Sequence, residues 1–333
     1  MITRSVMLQT LCVPCACHCR YCLLSWNGKT PGLDYEQSAA YAKAFHQWIS
    51  RERPGLTFHF SFGYSMDHPQ LPRAVAFLNS IGSVTGKYLQ LDGMAFRSPG
   101  EMAALLNELR ENGAESLNFT FYGLPAYHDA FAGRRGDFQF MLSTLGLART
   151  AGFQVTAGIP LTRESAPQTE ELVSLLRGAG VERPRLFIPH EEGRGASLSR
   201  IRFSTRDAEG LPPALLSLLN QNIYQPESQW MGQRPLPPEE NRALLISLTP
   251  DNFSRYQAMD FAAVIAEAEA LDEAYYSALP DLNGLLSLYG DPQGTGYYSR
   301  RDLTHHYQKR YIREHALNLY DVTDERQTGS RRY

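Results

Sequence analysis

No apolar run in these 333 residues approaches the ~20 needed to cross a bilayer. The first nine residues, with one arginine and no long apolar stretch, do not read as a signal peptide. An excess of one charge is also missing. Lys and Arg number 32 against 35 Asp and Glu, a net −3, so bulk charge points to neither nucleic acid nor an anionic membrane. Cysteine is absent from residue 23 onward, because all five lie between positions 12 and 22. A disulfide framework would spread its bridges along the chain, so that use is excluded, and the expected setting is the reducing cytoplasm. What remains is an ordinary globular composition, 43% hydrophobic and 20% charged, long enough for one α/β barrel with an extension.

Strand-like and helix-like segments alternate about six times. Strands are expected at 5–13, 56–62, 87–91, 116–122, 154–161 and 185–189. Between them lie amphipathic runs. Asp34 is placed to cap a helix through residue 48, with Tyr41, Ala44, Phe45 and Trp48 on one face. Ser98 and Glu101 have the spacing of a capping box, and Gly113 ends the helix they start. Short connections of this kind predict parallel β-α units with right-handed crossovers. The fold class is therefore α/β, a partial (β/α)6 TIM-like barrel over residues 1–200. From about Ile201 the alternation weakens, and Pro-rich stretches appear at Leu211-Pro212-Pro213 and Pro235-Leu236-Pro237-Pro238. A strand-like run at 243–248, a helix at 259–279 and a basic helix at 301–315 complete a mainly helical C-terminal extension. Residues 201–333 are expected to cover the barrel mouth. In such barrels the chemistry sits at the C-terminal ends of the strands, and the cysteine-rich stretch directly follows the first strand.

Within that stretch Cys15, Cys19 and Cys22 have the spacing Cys-x3-Cys-x2-Cys. Three thiolates on one tight loop suit a soft metal. Adding Cys12 makes a four-thiolate alternative, a zinc site or a saturated iron–sulfur cluster without catalytic function. Cys12 and Cys17 otherwise read as the end of the first strand and a small loop residue, or as an exchange ligand.

The three-cysteine spacing, with Tyr21 before the last cysteine and a strand before the first, resembles the radical S-adenosylmethionine (SAM) superfamily. The resemblance implies a 4Fe–4S cluster on Cys15, Cys19 and Cys22, with the fourth iron open to SAM. It also implies reductive cleavage of SAM to a 5′-deoxyadenosyl radical that takes hydrogen from a carbon of a peptide or small-metabolite substrate. An external electron donor such as flavodoxin or ferredoxin would be the partner, and the activity that of an oxidoreductase.

Further likeness is spread over residues 5–195. Where the family has Gly-Gly-Glu-Pro after its second strand, this chain has Ser61-Phe62-Gly63-Tyr64-Ser65-Met66-Asp67. The resemblance therefore offers the carbonyls of Phe62 and Gly63, with Ser61, Ser65 or Asp67, to the SAM amine. Gln90-Leu91-Asp92-Gly93 is similar to the family's Thr-Asn-Gly. Asn118 and Thr120 on the fourth strand are read as pointing alternately, so that one faces the cofactor. The stretch from Tyr127 to Phe138 resembles the molybdenum-cofactor and peptide-modifying branches. In it His128 reads as a packing or cap residue or a site residue, and Arg134 or Arg135 as a carboxylate partner or a solvated arginine. Gly193-Arg194-Gly195 resembles the Gly-Arg after strand six of those branches, which gives Arg194 to the SAM carboxylate or ribose. Glu191 and Glu192 are expected in the substrate pocket.

The absence of later cysteines excludes the auxiliary-cluster domain of many peptide-modifying relatives. Tyr275, Tyr276, Tyr289, Tyr297, Tyr298, Tyr307 and Tyr311 are candidates either for the cover or for helix packing. Arg300, Arg301, Lys309, Arg310 and Arg313 suit a phosphate, an acidic peptide or a solvated helix face.

Overall fold

The computed structural model describes residues 2–10, 15–22, 32–62, 67–68, 70–191, 193–238 and 241–319. Cys12, Gly63, Ser65 and Glu192 lie outside them. The six expected β-α units are present: β1 (Ile2–Thr10), α1 (Tyr35–Glu52), β2 (Thr57–Ser61), α2 (Leu71–Ser80), β3 (Tyr88–Gln90), α3 (Pro99–Glu111), β4 (Ser116–Thr120), α4 (Pro125–Ala132), α5 (Asp137–Thr150), β5 (Gln154–Pro160), α6 (Thr169–Gly178) and β6 (Arg185–Phe187). Every strand pair among them is parallel. Local signals act as read. The Asp34 carboxylate accepts the Gln37 N–H at the start of α1, and Ser98 and Glu101 form the capping box of α3. The buried stripe of α1 is rotated from the expected one. Tyr41, Phe45 and Ile49 are inside, while Ala44 is exposed.

The hydrogen-bonded ladder breaks between β2 and β3, which divides the strands into two sheets. One, β3-β4-β5-β6, packs Leu117, Phe119, Ala157 and Ile159 against Leu106, Leu145 and Leu176 of α3, α5 and α6. The other holds β1 and β2, with Val6, Leu8, Phe58 and Phe60 packed on Phe45 and Ile49 of α1.

The chain after Ile201 continues as α7 (Thr205–Glu209), α8 (Pro213–Leu216), β7 (Gln225–Pro226), α9 (Glu227–Gly232), β8 (Asn241–Leu248), α10 (Pro250–Ala258), α11 (Phe261–Ser277), α12 (Leu282–Tyr289), β9 (Tyr297–Tyr298) and α13 (Arg300–Glu314). Strand β8 returns to the sheet and pairs in parallel with β1, Val6 beside Leu244 and Leu8 beside Ile246. Leu244, Ile246 and Leu248 thereby join the second core with Val264 and Ile265 of α11. Arg242 fastens this end to α11 through Asp272 at 2.9 Å. The opposite edge is extended too. Leu186 of β6 donates its N–H to the Leu218 carbonyl (3.1 Å) and bridges Leu219 in parallel.

The tyrosines of the extension pack helices. Tyr298 and Tyr307 join Trp230, Leu285 and Leu303, while Tyr275 sits with Leu279 and Ile312. Of the basic residues of α13, Lys309 donates to the Glu191 carbonyl, Arg310 pairs with Glu314 at 2.8 Å and Arg300 donates to Pro237.

Candidate active site

The four described thiols of the loop, Cys15, Cys17, Cys19 and Cys22, line one cavity of about 1550 Å³ that runs along β3 to β6, from Tyr88, Ser116, Gln154 and Arg185 at their starts to Gly93, Tyr122 and Phe187 toward their ends. The loop is fixed there mainly by backbone bonds. Ala16 donates to the Gly93 carbonyl (2.8 Å), His18 to Ala132 (2.8 Å) and Arg20 to Phe131 (2.9 Å), while Arg194 donates its N–H to Cys22 (3.0 Å). Two glycines make the approach possible. Gly93 has φ +73, and a Cβ there would fall on Cys15 Sγ. Gly133 has φ +64 as the left-handed cap of α4, and its bare face accepts His18. Tyr21 is wedged against Tyr122, Phe131 and Phe187, with ring centroids 5.5, 6.0 and 6.2 Å away. The Tyr122 hydroxyl lies 3.1 Å from Cys19 Sγ.

Beneath the loop is a buried ion pair. Arg134 bonds Asp137 at 2.5 and 2.9 Å, and His128 lies 3.1 Å from the same carboxylate. His128 Nδ1 accepts the Tyr122 N–H at 3.1 Å, so its proton is on Nε2 and is donated to Asp137. Burial alone would raise the Asp137 carboxyl, but the His128 bond and the Arg134 charge hold it below its ordinary value. Cys17, 5% exposed, donates its thiol to this carboxylate at 3.9 Å. His128 is thus a packing residue that orients the floor of the loop, and Arg134 is the arginine that finds a carboxylate. The hydrogen bond with Cys17, then burial, holds the Cys15 thiol above its ordinary value. Without metal it is a neutral thiol, and coordination would reverse that.

The wall below the loop is a polar ladder across β3, β4 and β5. Thr156 donates to Asn118 (2.7 Å), Asn118 to Gln90 (2.5 Å), and Gln90 to Asp92 (2.5 Å) and Thr120 (3.0 Å). Thr120 gives both its N–H (3.0 Å) and its hydroxyl (2.7 Å) to Asp92. Burial raises the Asp92 carboxyl against these donors. Asn118 and Thr120 do not alternate. Residues two apart on a strand share a face, and both line the cavity.

Phe62 packs its ring on Tyr35, Phe60 and Phe77, so only its backbone is available to a ligand. Glu191 is withdrawn from the pocket. Its carboxylate pairs with Arg202 at 2.7 Å and His306 at 2.6 Å. Burial raises it, yet the His306 bond and the Arg202 charge bring it down to about 2. Arg194 is different, for its Nε and Nη2 are buried and meet no hydrogen-bond partner among the described residues. Two buried guanidinium nitrogens of this kind suit an anion, but the half-buried Arg194 is not among the residues that line the thiol cavity.

Two groups of residues were missed from the sequence. One completes the inner faces of the strands, where Tyr88, Ser116, Gln154 and Thr156 share the cavity wall with the already expected Gln90, Asp92 and Asn118 and alternate with apolar outer residues. That alternation was the available signal, because a parallel sheet covered on both faces reads as continuously apolar. The other is the segment 217–224, which walls the cavity beside β6 and carries no motif.

No three His, Cys, Asp or Glu side chains among the described residues converge as a site for one metal ion. A cubane does not ask for this, since each thiolate takes a different iron. Thiols on a shared, partly buried wall fit such a cluster better than a single zinc.

No family model and no curated protein matches the chain. Among solved structures it is similar to SuiB of Streptococcus suis bound to its precursor peptide SuiA, at 12% identity and a TM-score of 0.45. That match covers 77% of this chain and 51% of SuiB, so the chain spans about half of SuiB's length. It is also similar to the Escherichia coli coproporphyrinogen III oxidase HemN, a radical SAM enzyme, at 13% identity and a TM-score of 0.43. There 92% of this chain and 91% of HemN are covered. At these identities and scores neither likeness carries chemistry to this chain. No helix among the described residues is long and apolar enough to cross a membrane.

Proposed function

We propose that this chain is a radical SAM enzyme acting on a carbon centre of a peptide or a small metabolite. The observation that carries the reading is that Cys15, Cys19 and Cys22 face one cavity along parallel strands, on a loop bonded to Gly93 just past the end of β3. They would hold the three irons of a 4Fe–4S cluster. When bound, cluster and SAM supply an electron and, from it, a carbon-centred radical.

The chain's own residues would position and shield that chemistry. Gly93, Phe131 and Ala132 accept the loop's backbone donors, so the thiols are presented from a fixed frame. Arg194, whose N–H bonds the Cys22 carbonyl and whose Nε and Nη2 meet no partner among the described residues, would take the SAM carboxylate. The Thr156–Asn118–Gln90 ladder presents a preformed polar wall on which the ribose and adenine could rest. Tyr21, Tyr122 and Phe187 close the cavity from the side and exclude water, which a carbon radical requires. Residues 201–333 serve as its cover through the wall 217–224 and the docking of α13 on Glu191. The electron would arrive from a flavodoxin- or ferredoxin-like donor.

The test is anaerobic reconstitution of the full chain with iron and sulfide, then reduction in the presence of SAM. Formation of 5′-deoxyadenosine supports the reading. A fully assembled cluster that leaves SAM intact under a strong reductant would sink it in favour of a non-catalytic iron–sulfur protein.

A further inference from the structure

The polar side chains of the cavity fall into two groups. Near the cysteines, Gln90, Asp92, Asn118, Thr120 and Thr156 bond to one another. Elsewhere on the cavity wall, the side chains of Ser116, Gln154, Arg185, Gln221 and Asn222 make no hydrogen bond among the described residues. The first group is a finished structural network. The second, Ser116 apart, is open to solvent and so within reach of a ligand.

Arg185 decides the chemistry. It is the one cationic side chain among the described residues lining the cavity. The one lining carboxylate, Asp92, is already engaged by Gln90 and Thr120. Register places Arg185 level with Gly158, itself paired with Thr120, so a residue without a side chain separates the arginine from the ladder. The far side is shaped by a turn in which Asn220 Oδ1 accepts the Asn222 N–H at 3.1 Å, and Ile223 and Tyr224 donate to the Asn220 carbonyl. That turn is held beside β6 by the Leu186–Leu218 bond (3.1 Å).

We infer that the part of the cavity around Arg185 is a substrate site for a polar ligand bearing one anionic oxygen group, with the anion on Arg185 and uncharged amide-type groups on Gln154, Gln221 and Asn222. A guanidinium fork in a walled cavity matches a carboxylate or phosphate bidentately. The surrounding amides match neutral donors and acceptors and give a second charge no partner. The inference deepens the proposed reading by naming what the substrate must carry, yet binding at this site needs neither cluster nor SAM.

The experiment titrates the full chain, without cluster, with three probes by ligand-observed NMR. These are N-acetyl-glutamate α-methylamide, its glutamine counterpart, and inorganic phosphate. The expected result is an anionic probe bound ~10-fold or more tighter than the glutamine probe, with Arg185→Gln erasing the difference. Arg183→Gln, an exposed arginine off the cavity, should leave it intact. If phosphate alone shows the Arg185-dependent preference, the site stands with phosphate as the recognised group. Acid and phosphate both binding no tighter than the amide, or anion binding that survives Arg185→Gln, overturns the inference. Since Arg185 is exposed, its replacement does not threaten folding. Failure here leaves 5′-deoxyadenosine formation untouched, and failure of that reaction leaves this titration untouched.

Discussion

Gly93 offers the sharpest test of how the cysteine loop is held. Its φ of +73 lies in the left-handed region, where an alanine costs roughly 1–2 kcal/mol. Its missing side chain is also what lets Cys15 Sγ sit against it, and its carbonyl accepts the Ala16 N–H at 2.8 Å. Gly93→Ala should therefore do two separable things. Backbone strain lowers stability by about 1–2 kcal/mol. Displacing Cys15 then loosens the Ala16 bond, a further cost of about 1 kcal/mol, and moves one thiol out of the frame shared with Cys19 and Cys22. Gly136 supplies the control. Its φ is +83, but the nearest atom to an added Cβ is Phe96 Cζ at 3.9 Å, an ordinary contact. Both variants should lose stability in urea unfolding, and only Gly93→Ala should lose iron after reconstitution. Full iron content in Gly93→Ala, or equal iron loss in both, would refute the claim that this glycine exists to admit the thiol.

Single replacement of Cys15, Cys19 or Cys22 by alanine should abolish the iron–sulfur absorbance, whereas Cys17→Ala should retain iron; loss in Cys17→Ala would make it a ligand. Arg194→Gln should weaken SAM binding to the reconstituted protein by ~10-fold or more, from loss of a charge-assisted pair, with no change in iron content; unchanged SAM affinity by equilibrium dialysis would remove Arg194 from the site. The Glu191 carboxyl is depressed to about 2 from an ordinary value of 4.5. Because the folded form holds its proton less tightly, its stabilisation is complete above about pH 4.5 and disappears as pH falls toward 2. The size is about 3 kcal/mol, and Glu191→Gln should flatten that part of the stability–pH curve while leaving Arg202 buried without its partner. A wild-type curve already flat between pH 4.5 and 2 would contradict the buried pairing.

Much of the barrel could be read from the chain because its signals are local. Asp34 and the Ser98–Glu101 pair cap helices using groups three residues away, so neighbours in sequence suffice. The strand-helix alternation is likewise written in short-range periodicity. The misreadings have long-range causes. Glu191 follows β6 as a pocket residue would, yet it is claimed by Arg202 and by His306, 115 positions later. For the tyrosines, of the two readings left open, packing in the extension holds for Tyr275, Tyr298 and Tyr307, while Tyr297 packs on Phe203. Asn118 and Thr120 were legible and were misassigned, since a period of two puts both on one face.

The sequence by itself determined that three cysteines lie on one loop after a first strand, and that strands and helices alternate about six times. Spacing and periodicity carry both, because they depend on covalent neighbours. Only the tertiary structure decided that β8 returns from position 241 to pair with β1 and that the segment 217–224 lines β6. It alone set the side chain of Arg185 on the same cavity as Gln154, Gln221 and Asn222. Those placements follow from burial of apolar faces and satisfaction of backbone groups across hundreds of residues, and no local pattern records which distant segment will supply them.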